Sequence, residues 1–319
     1  MIELRPFRNT DPPHLAEVWR SQPPERGRMH PVSTAMLEMS VFSKPYFDRD
    51  GLVVALQDGR PIGFAHAGFG PLQGGAELDT SLGITHLVMT HAGVADPHLE
   101  DDLLRASEEY LRGHGATCFL GGGAGALSGF YLGLIGGSQA PGVLDSDHRQ
   151  ADLYIRSGYQ AHRRLVVLQR DLARFRPPVT RTQRQLRREL NFDTIDAPKS
   201  TNWWEACVMA GLDRTRFTLT EKRGGAIQAS VSIWDVEPLA SSWGLRTAGV
   251  FDLWVAPTLH RQGLATYLLS ETYAVLRKRG YALVEAQIED GNAAAIGLSK
   301  FLGMSVVDHG TVFRKNGDG

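Results

Sequence analysis

The chain carries the same order of secondary-structure signals twice, and that repetition limits its architecture more than any other feature. In the first half, Leu52 to Leu56 and Ile62 to His66 flank Asp58-Gly59. In the second, Phe217 to Thr220 and Ile227 to Ile233 flank Gly224-Gly225. Asp-Gly and Gly-Gly between β-rich runs signal hairpins. Each half then offers another strand, Thr85 to His91 or Val250 to Val255, and a helix containing Leu103-Leu104 or Leu268-Leu269. These helices end at Gly115 and Gly280, which stand 165 residues apart. The closing segments end on Gly158-Tyr159 and Gly303-Met304, only 145 apart. The first half therefore holds about 20 extra residues, and Gly121 to Gly142 forms the glycine-rich insertion that accommodates them.

Pro177-Pro178 interrupts the chain between the two copies, since proline fits neither a helix interior nor a central strand. Residues 1–176 and 177–319 are thus expected to be two domains. Arginines crowd the junction from Arg170 to Arg188, which reads as a solvated linker or the entry to the second unit. The whole chain has 34 basic and 35 acidic residues, so it lacks the broad positive footprint that nucleic acid or an anionic membrane would select. No apolar run is long enough for a membrane span, and no secretory signal is visible. The two cysteines, Cys118 and Cys207, lie far apart, which fits a reducing cytoplasm better than a disulfide framework. No His, Cys or carboxylate spacing suggests a metal; His86 and His91 would point to opposite faces of a strand.

The most chemically informative stretch runs from Leu253 to Leu269. A strand meets Pro257, and Gly263 opens a helix whose apolar positions Leu264, Tyr267, Leu268, Val275 and Leu276 share a face. Lys278, Arg279 and Gly280 are good C-terminal helix chemistry. A strand running through a small-residue turn into a helix leaves backbone N–H groups pointing outward at the positive end of the helix dipole. That arrangement suits a pyrophosphate. Side chains larger than those of Gly263 and Ala265 would hold phosphates off the backbone.

His260-Arg261-Gln262-Gly263-Leu264-Ala265, following a strand that ends Val255-Ala256-Pro257, resembles the signature of the GNAT superfamily of N-acetyltransferases, Gln/Arg-x-x-Gly-x-Gly/Ala. The similarity continues through Asn292, Ala295, Leu298, Ser299, Gly303 and Met304. The resemblance implies an α/β (α+β) fold of two GNAT-like domains, each a mixed, mostly antiparallel twisted sheet flanked by helices. It implies acetyl-CoA as cofactor, with Arg261, Gln262, Gly263, Leu264, Ala265 and Thr266 around its pyrophosphate. It also implies that Leu253, Trp254 and Val255 pair with pantetheine. Asn292 is a natural helix N-cap and a further candidate cofactor contact. The reaction implied is direct transfer of an acetyl group to a primary amine of a small molecule, or of a peptide.

Departures from the family pattern bear on mechanism. Ser299 stands where the family often has a Tyr acid for the leaving thiolate. Gly249 and Phe251 stand where a base is common. Asp252 and Glu285 are the remaining candidates for the base, although a regular strand would turn Asp252 to the opposite face. Surface or structural roles are open for both, and so is a reading of the whole protein as an acyl-CoA-binding or sensing module. In the first half, the 165-residue offset sets His98 and Glu100 opposite Gly263 and Ala265, amid Asp96, Asp101 and Asp102. Carboxylates there repel a phosphate, so that half is expected not to bind the cofactor. Of Trp203 and Trp204, one is expected to pack in the core and one to line a cleft or the domain interface; the resemblance implies that they border the acceptor.

Overall fold

In the computed structural model, residues 2–94, 96–123, 128–222 and 224–317 are described. Residues 124–127 of the glycine-rich insertion lie outside them. The first half runs β1 (Ile2–Pro6), α1 (Pro12–Arg20), α2 (Thr34–Leu37), β2 (Leu52–Gln57), β3 (Arg60–Pro71), β4 (Leu78–Thr90), α3 (Leu99–Gly113), β5 (Cys118–Gly121), the short β6 (Val143–Leu144), α4 (His148–Arg156) and β7 (Gln160–Asp171). The second runs α5 (Arg181–Glu189), β8 (Leu190–Asp196), α6 (Trp203–Val208), β9 (Arg214–Glu221), β10 (Ile227–Asp235), α7 (Glu237–Trp243), β11 (Thr247–Val255), α8 (Leu264–Lys278), β12 (Leu283–Glu289), α9 (Ala293–Phe301) and β13 (Ser305–Asn316).

Both expected hairpins form. Asp58 and Gly59 close β2 on β3 with positive φ (50° and 77°), and Gly224 (φ 84°) lies in the turn from β9 to β10. The sheets of the two halves are mixed and mostly antiparallel, and they are joined edge to edge. The path is β1-β2-β3-β4-β5-β13-β7-β12-β11-β10-β9-β8 within one 13-stranded sheet. The joint is an exchange. β7, from the first half, pairs antiparallel with β12 of the second, while β13 pairs antiparallel with β5 of the first. Between them β7 and β13 pair with each other from Ser305↔Gln169 to Arg314↔Gln160.

The exchange leaves little that is separable. One hydrophobic cluster joins Phe7, Trp19, Phe64 and Tyr131 to Trp204, Trp234 and Leu239 across the two halves. Two others lie under α3 and α8. α8 buries Leu264, Tyr267, Leu268 and Leu276 as its spacing predicts. A fully buried leucine such as Leu268 contributes about 1.5–3 kcal/mol by leaving water. The arginine-rich junction is not a solvated linker. Thr180 caps α5 by accepting from the N–H of Gln183 at 3.1 Å, and Leu186 is buried. No helix among the described residues is long and apolar enough to cross a membrane.

Candidate functional site

β11 and β12 run parallel only from Thr247↔Leu283 to Val250↔Ala286, after which no pairing joins them. Where they part, β11 bulges against β10, with Ser230 opposite Trp254 but Ser232 opposite Phe251. Asp252 takes φ 52° at the bulge. The alternation of faces fails there, and Asp252 lines the opening instead of turning away, as a regular strand would require. The resulting cleft of about 300 Å3 is bounded by Leu253 on one side and by Gln287, Ile288 and Glu289 on the other. Asn292, Ala295, Leu298 and Ser299 of α9 form its floor, with Tyr273.

The turn after β11 has the geometry that its sequence anticipates. Arg261 and Gly263 adopt positive φ (60° and 86°), and the side chains of His260 and Gln262 accept no cap role but fold back onto the carbonyls of Val255 and Thr258. No side chain caps α8, so its first amides remain for another acceptor. A Cβ on Gly263 would approach Thr182 Cγ2 to 3.0 Å, so the turn is also tight against α5. The cradle fits a diphosphate: a glycine corner, uncapped amides and a helix dipole. Asn292 does cap α9, its Oδ1 accepting from the N–H of Ala295 at 3.1 Å, while it also borders the cleft.

A second cavity, of about 400 Å3, shares Gln139, Phe251 and Asp252 with the cleft and opens on the other side of the bulge. One wall is α6 and its neighbours, with Trp204, Glu205, Val208 and Met209. The other is Ser128, Leu132, Ser138 and Gln139, from the insertion in the first half. Of the two tryptophans, the buried Trp204 borders this pocket, whereas Trp203 is exposed. The insertion reaches across because its glycines permit it. Gly133 lies against Trp234 and Gly137 against Glu285, both with positive φ. Nothing in the sequence of the insertion signals this reach, because its contacts lie about a hundred residues or more away in the chain.

The titratable groups differ sharply in setting. Asp252 lies 3.6 Å from Arg216 with its side chain 59% exposed, and partial desolvation raises its carboxyl above the ordinary range against that cation. Glu285 is wholly buried behind the insertion and lines neither cavity. Its Oε1 accepts from the N–H of Ser138 (2.8 Å) and its Oε2 from Gln169 Nε2 (2.6 Å), with Arg26 at 3.7 Å. Burial pushes its carboxyl up as well. Glu205 lies lower than usual: although burial opposes this, hydrogen bonds from Thr201 and Arg214 hold its charge. Ser299 is buried at the cleft floor. Gly249, where a base is common in the family, has no room for a side chain. A Cβ there would lie 2.6 Å from Trp234 Nε1 and 2.9 Å from Ser138 Cβ. Among the described residues, no three His, Cys or carboxylate groups come together as a metal site.

The first half treats its matching opening differently. β4 and β5 pair in parallel only from Leu82↔Cys118 to Thr85↔Gly121. Beyond that, the free carbonyls of β4 are taken by side chains: Gln150 Nε2 donates to Val88, and Gln22 Nε2 donates to Thr90 at 2.8 Å. Glu100, buried at the start of α3, pairs with Arg149 (2.7 Å) and Arg156 (3.5 Å). A carboxylate and its arginines occupy the corner that glycine and amides form in the second half.

Residues 181–304 match the model of the Acetyltransferase (GNAT) family. That match takes in most of the second half, and the chain as a whole has the tandem GNAT fold. Three solved structures illustrate that likeness. A tandem GNAT protein from the clavulanic acid biosynthesis pathway is 16% identical, with 100% of this chain and 99% of that one covered and a TM-score of 0.70. A GCN5-related N-acetyltransferase from Sphaerobacter thermophilus is 15% identical over 99% and 95% of the two chains, with a TM-score of 0.66. A GCN5-related glucosamine N-acetyltransferase region of a fungal multi-domain β-N-acetylglucosaminidase reaches a TM-score of 0.73 at 15% identity. This chain is 99% covered in that last match but spans only 38% of the fungal protein. No curated protein sequence matches the chain.

Proposed function

We propose that the protein is an acetyl-CoA-dependent N-acetyltransferase whose second half holds the cofactor and whose acceptor is the primary amine of a small molecule. The observation that carries this reading is the meeting of two cavities at one bulge. The cleft between β11 and β12 runs from Leu253 and α9 to Phe251 and Asp252, and the second pocket borders the same two residues. An acyl donor and an amine entering from opposite sides would meet there.

Amides of residues 261–266 would hold the diphosphate, and the free edge of Leu253 to Val255 would pair with the pantetheine amides. The bound thioester supplies an activated acetyl group, whose transfer forms an N–C bond, breaks the C–S bond and releases CoA as a thiol. The acceptor must lose a proton, because an amine of pKa ~10.4 is neutral in fewer than about one molecule in 1,000 at pH 7. Asp252 is the carboxylate at the junction and takes that proton. Ser299, on the cleft floor, hydrogen-bonds the leaving sulfur rather than acting as a strong acid. Glu285, enclosed by Ser138 and Gln169, fixes the wall of the pocket and does not reach the amine. The first half contributes that wall and binds no cofactor of its own.

Free thiol release from acetyl-CoA, measured with the full chain and a panel of primary amines, tests the reading. Amine-dependent release is expected. Acetyl-CoA binding without release by any amine would leave only an acyl-CoA-binding module.

A further inference from the structure

The pocket on the acceptor side has a definite chemical character, and an inference from it rests on the N-acetyltransferase reading above. Among the described residues its lining holds two carboxylates, Glu205 and Asp252, and no lysine, arginine or histidine. Glu205 is fully engaged, accepting from Thr201 N (2.7 Å), Thr201 Oγ1 (2.6 Å) and Arg214 Nη1 (2.8 Å). Asp252 has one cationic neighbour, at 3.6 Å. The rest of the lining joins Leu132, Trp204, Val208, Met209 and Phe251, which supply most of its surface, to the polar Ser128, Ser138, Gln139, Thr201 and Asn202. A volume of about 400 Å3 is near the small end for ligand sites.

Ser138 supplies a second signal. The residue is 1% exposed and borders the pocket, and its Oγ has no hydrogen-bond partner. Buried hydroxyls without partners are uncommon, because each forfeits its bonds to water. The backbone of Ser138 is held at both ends, so the hydroxyl can move only by rotation about its own Cα–Cβ bond. Its N–H donates to Glu285 and its carbonyl accepts from Trp234 Nε1 at 2.9 Å. Its Cβ fills the space that a side chain at Gly249 would need. A residue of the first half thus stands where the second half's own strand has none.

We propose that the acceptor is a primary ammonium on a compact apolar body, carrying no carboxylate, and that Ser138 Oγ and the Asp252 carboxylate receive its N–H groups. The body lies against Leu132, Trp204 and Met209. Ser138 is a specificity-determining residue delivered by the insertion. A strongly hydroxylated amine, such as an amino sugar, would set several of its hydroxyls against the apolar part of this wall, at a cost in desolvation.

The test is calorimetric titration of the full chain with tryptamine and with glucosamine, with and without CoA. Tryptamine is expected to bind at least about tenfold more tightly than glucosamine. Ser138→Ala is expected to weaken tryptamine binding by about tenfold while CoA affinity stays the same. Its melting temperature should stay within about 2 °C, because Ala keeps both backbone hydrogen bonds. Equal or tighter binding of glucosamine, no binding of tryptamine, or unchanged tryptamine affinity in Ser138→Ala would each overturn the proposal. Failure of CoA to bind would instead count against the cofactor reading, and the amine titrations would still decide the proposal because the pocket is made by protein alone.

Discussion

The backbone N–H of Ser138 donates to Oε1 of Glu285 at 2.8 Å, although 147 residues separate the two in sequence. This bond ties the first half's insertion to a strand of the second half, directly behind the pocket. Gly137 makes the approach possible. A Cβ there would fall 1.8 Å from the same Glu285 oxygen, and its φ of 124° is open only to glycine. Gly137→Ala is expected to cost at least about 2 kcal/mol of unfolding free energy, from overlap and backbone strain together. Denaturant unfolding checks this, with Gly113→Ala as the control, because Gly113 ends a helix and has open space around it. A loss in the control equal to that in Gly137→Ala would show that the contact with Glu285 carries no special weight.

A substitution at Gly263 should separate cofactor binding from folding. At φ 86° a non-glycine residue there is strained by about 1–2 kcal/mol, with Thr182 close by. Glutamate adds a carboxylate beside the amides that would hold the diphosphate, where like charges repel at short range. Gly263→Glu is expected to retain the fold by circular dichroism and to lose acetyl-CoA affinity by about 100-fold or more. Titration of the parent protein should give one acetyl-CoA per chain, because Glu100 and its arginines occupy the other corner. Two equivalent sites, or unchanged affinity in the variant, would contradict this assignment.

The same residues show what a sequence can and cannot disclose. The turn into α8 was legible at Gly263, because a glycine between a strand-ending proline and an apolar helical period marks where a helix opens. The hairpins were legible at Asp58-Gly59 and Gly224-Gly225 for a similar local reason. The exchange of β7 and β13 was not. Either strand has the pattern to border its own half's sheet, and only the global topology decides which edge it joins. The turn of Asp252 into the cleft was hidden because a single-residue bulge reverses the face of a side chain without altering composition. α5 was hidden because one buried leucine, Leu186, among charged residues gives almost no apolar period. The pocket wall at Ser138 depends on contacts too distant in sequence for any local signal.

Asp252 should govern the pH dependence of turnover. Partial desolvation raises its carboxyl above the ordinary value of 3.8 although the side chain stays more than half exposed, and as the proposed base it works only when ionised. Activity should therefore rise with pH through that raised pKa, giving an acidic limb in kcat/KM displaced upward from that of a free aspartate. Asp252→Asn is expected to lower kcat by about 10²–10⁴ and to abolish that limb, with acetyl-CoA affinity little changed. A profile that keeps its acidic limb in the variant would assign the proton transfer elsewhere. Glu285→Gln serves as the comparison: it should lower stability while leaving the limb in place.

The first half contains an acid-labile core. His66 and His86 lie with ring centroids 5.5 Å apart, both packed against Phe130, and the Nε2 of each is buried without a partner. Burial holds His66 well below its ordinary pKa of 6.5 and lowers His86 to about 3. The folded protein keeps both rings neutral, whereas the unfolded chain takes up protons below pH 6.5. Stability is therefore full above that pH and falls as the pH drops toward 3. For His86 alone the loss at pH 5 comes to about 2 kcal/mol, at 1.36 kcal/mol per pKa unit. His86→Leu removes the proton uptake and an unsatisfied nitrogen together. Its unfolding free energy should change less between pH 8 and pH 5 than that of the parent protein, by about that amount. Denaturant unfolding at the two pH values measures the difference directly. Equal pH sensitivity of the two proteins would mean that His86 is accessible to protons in the folded state.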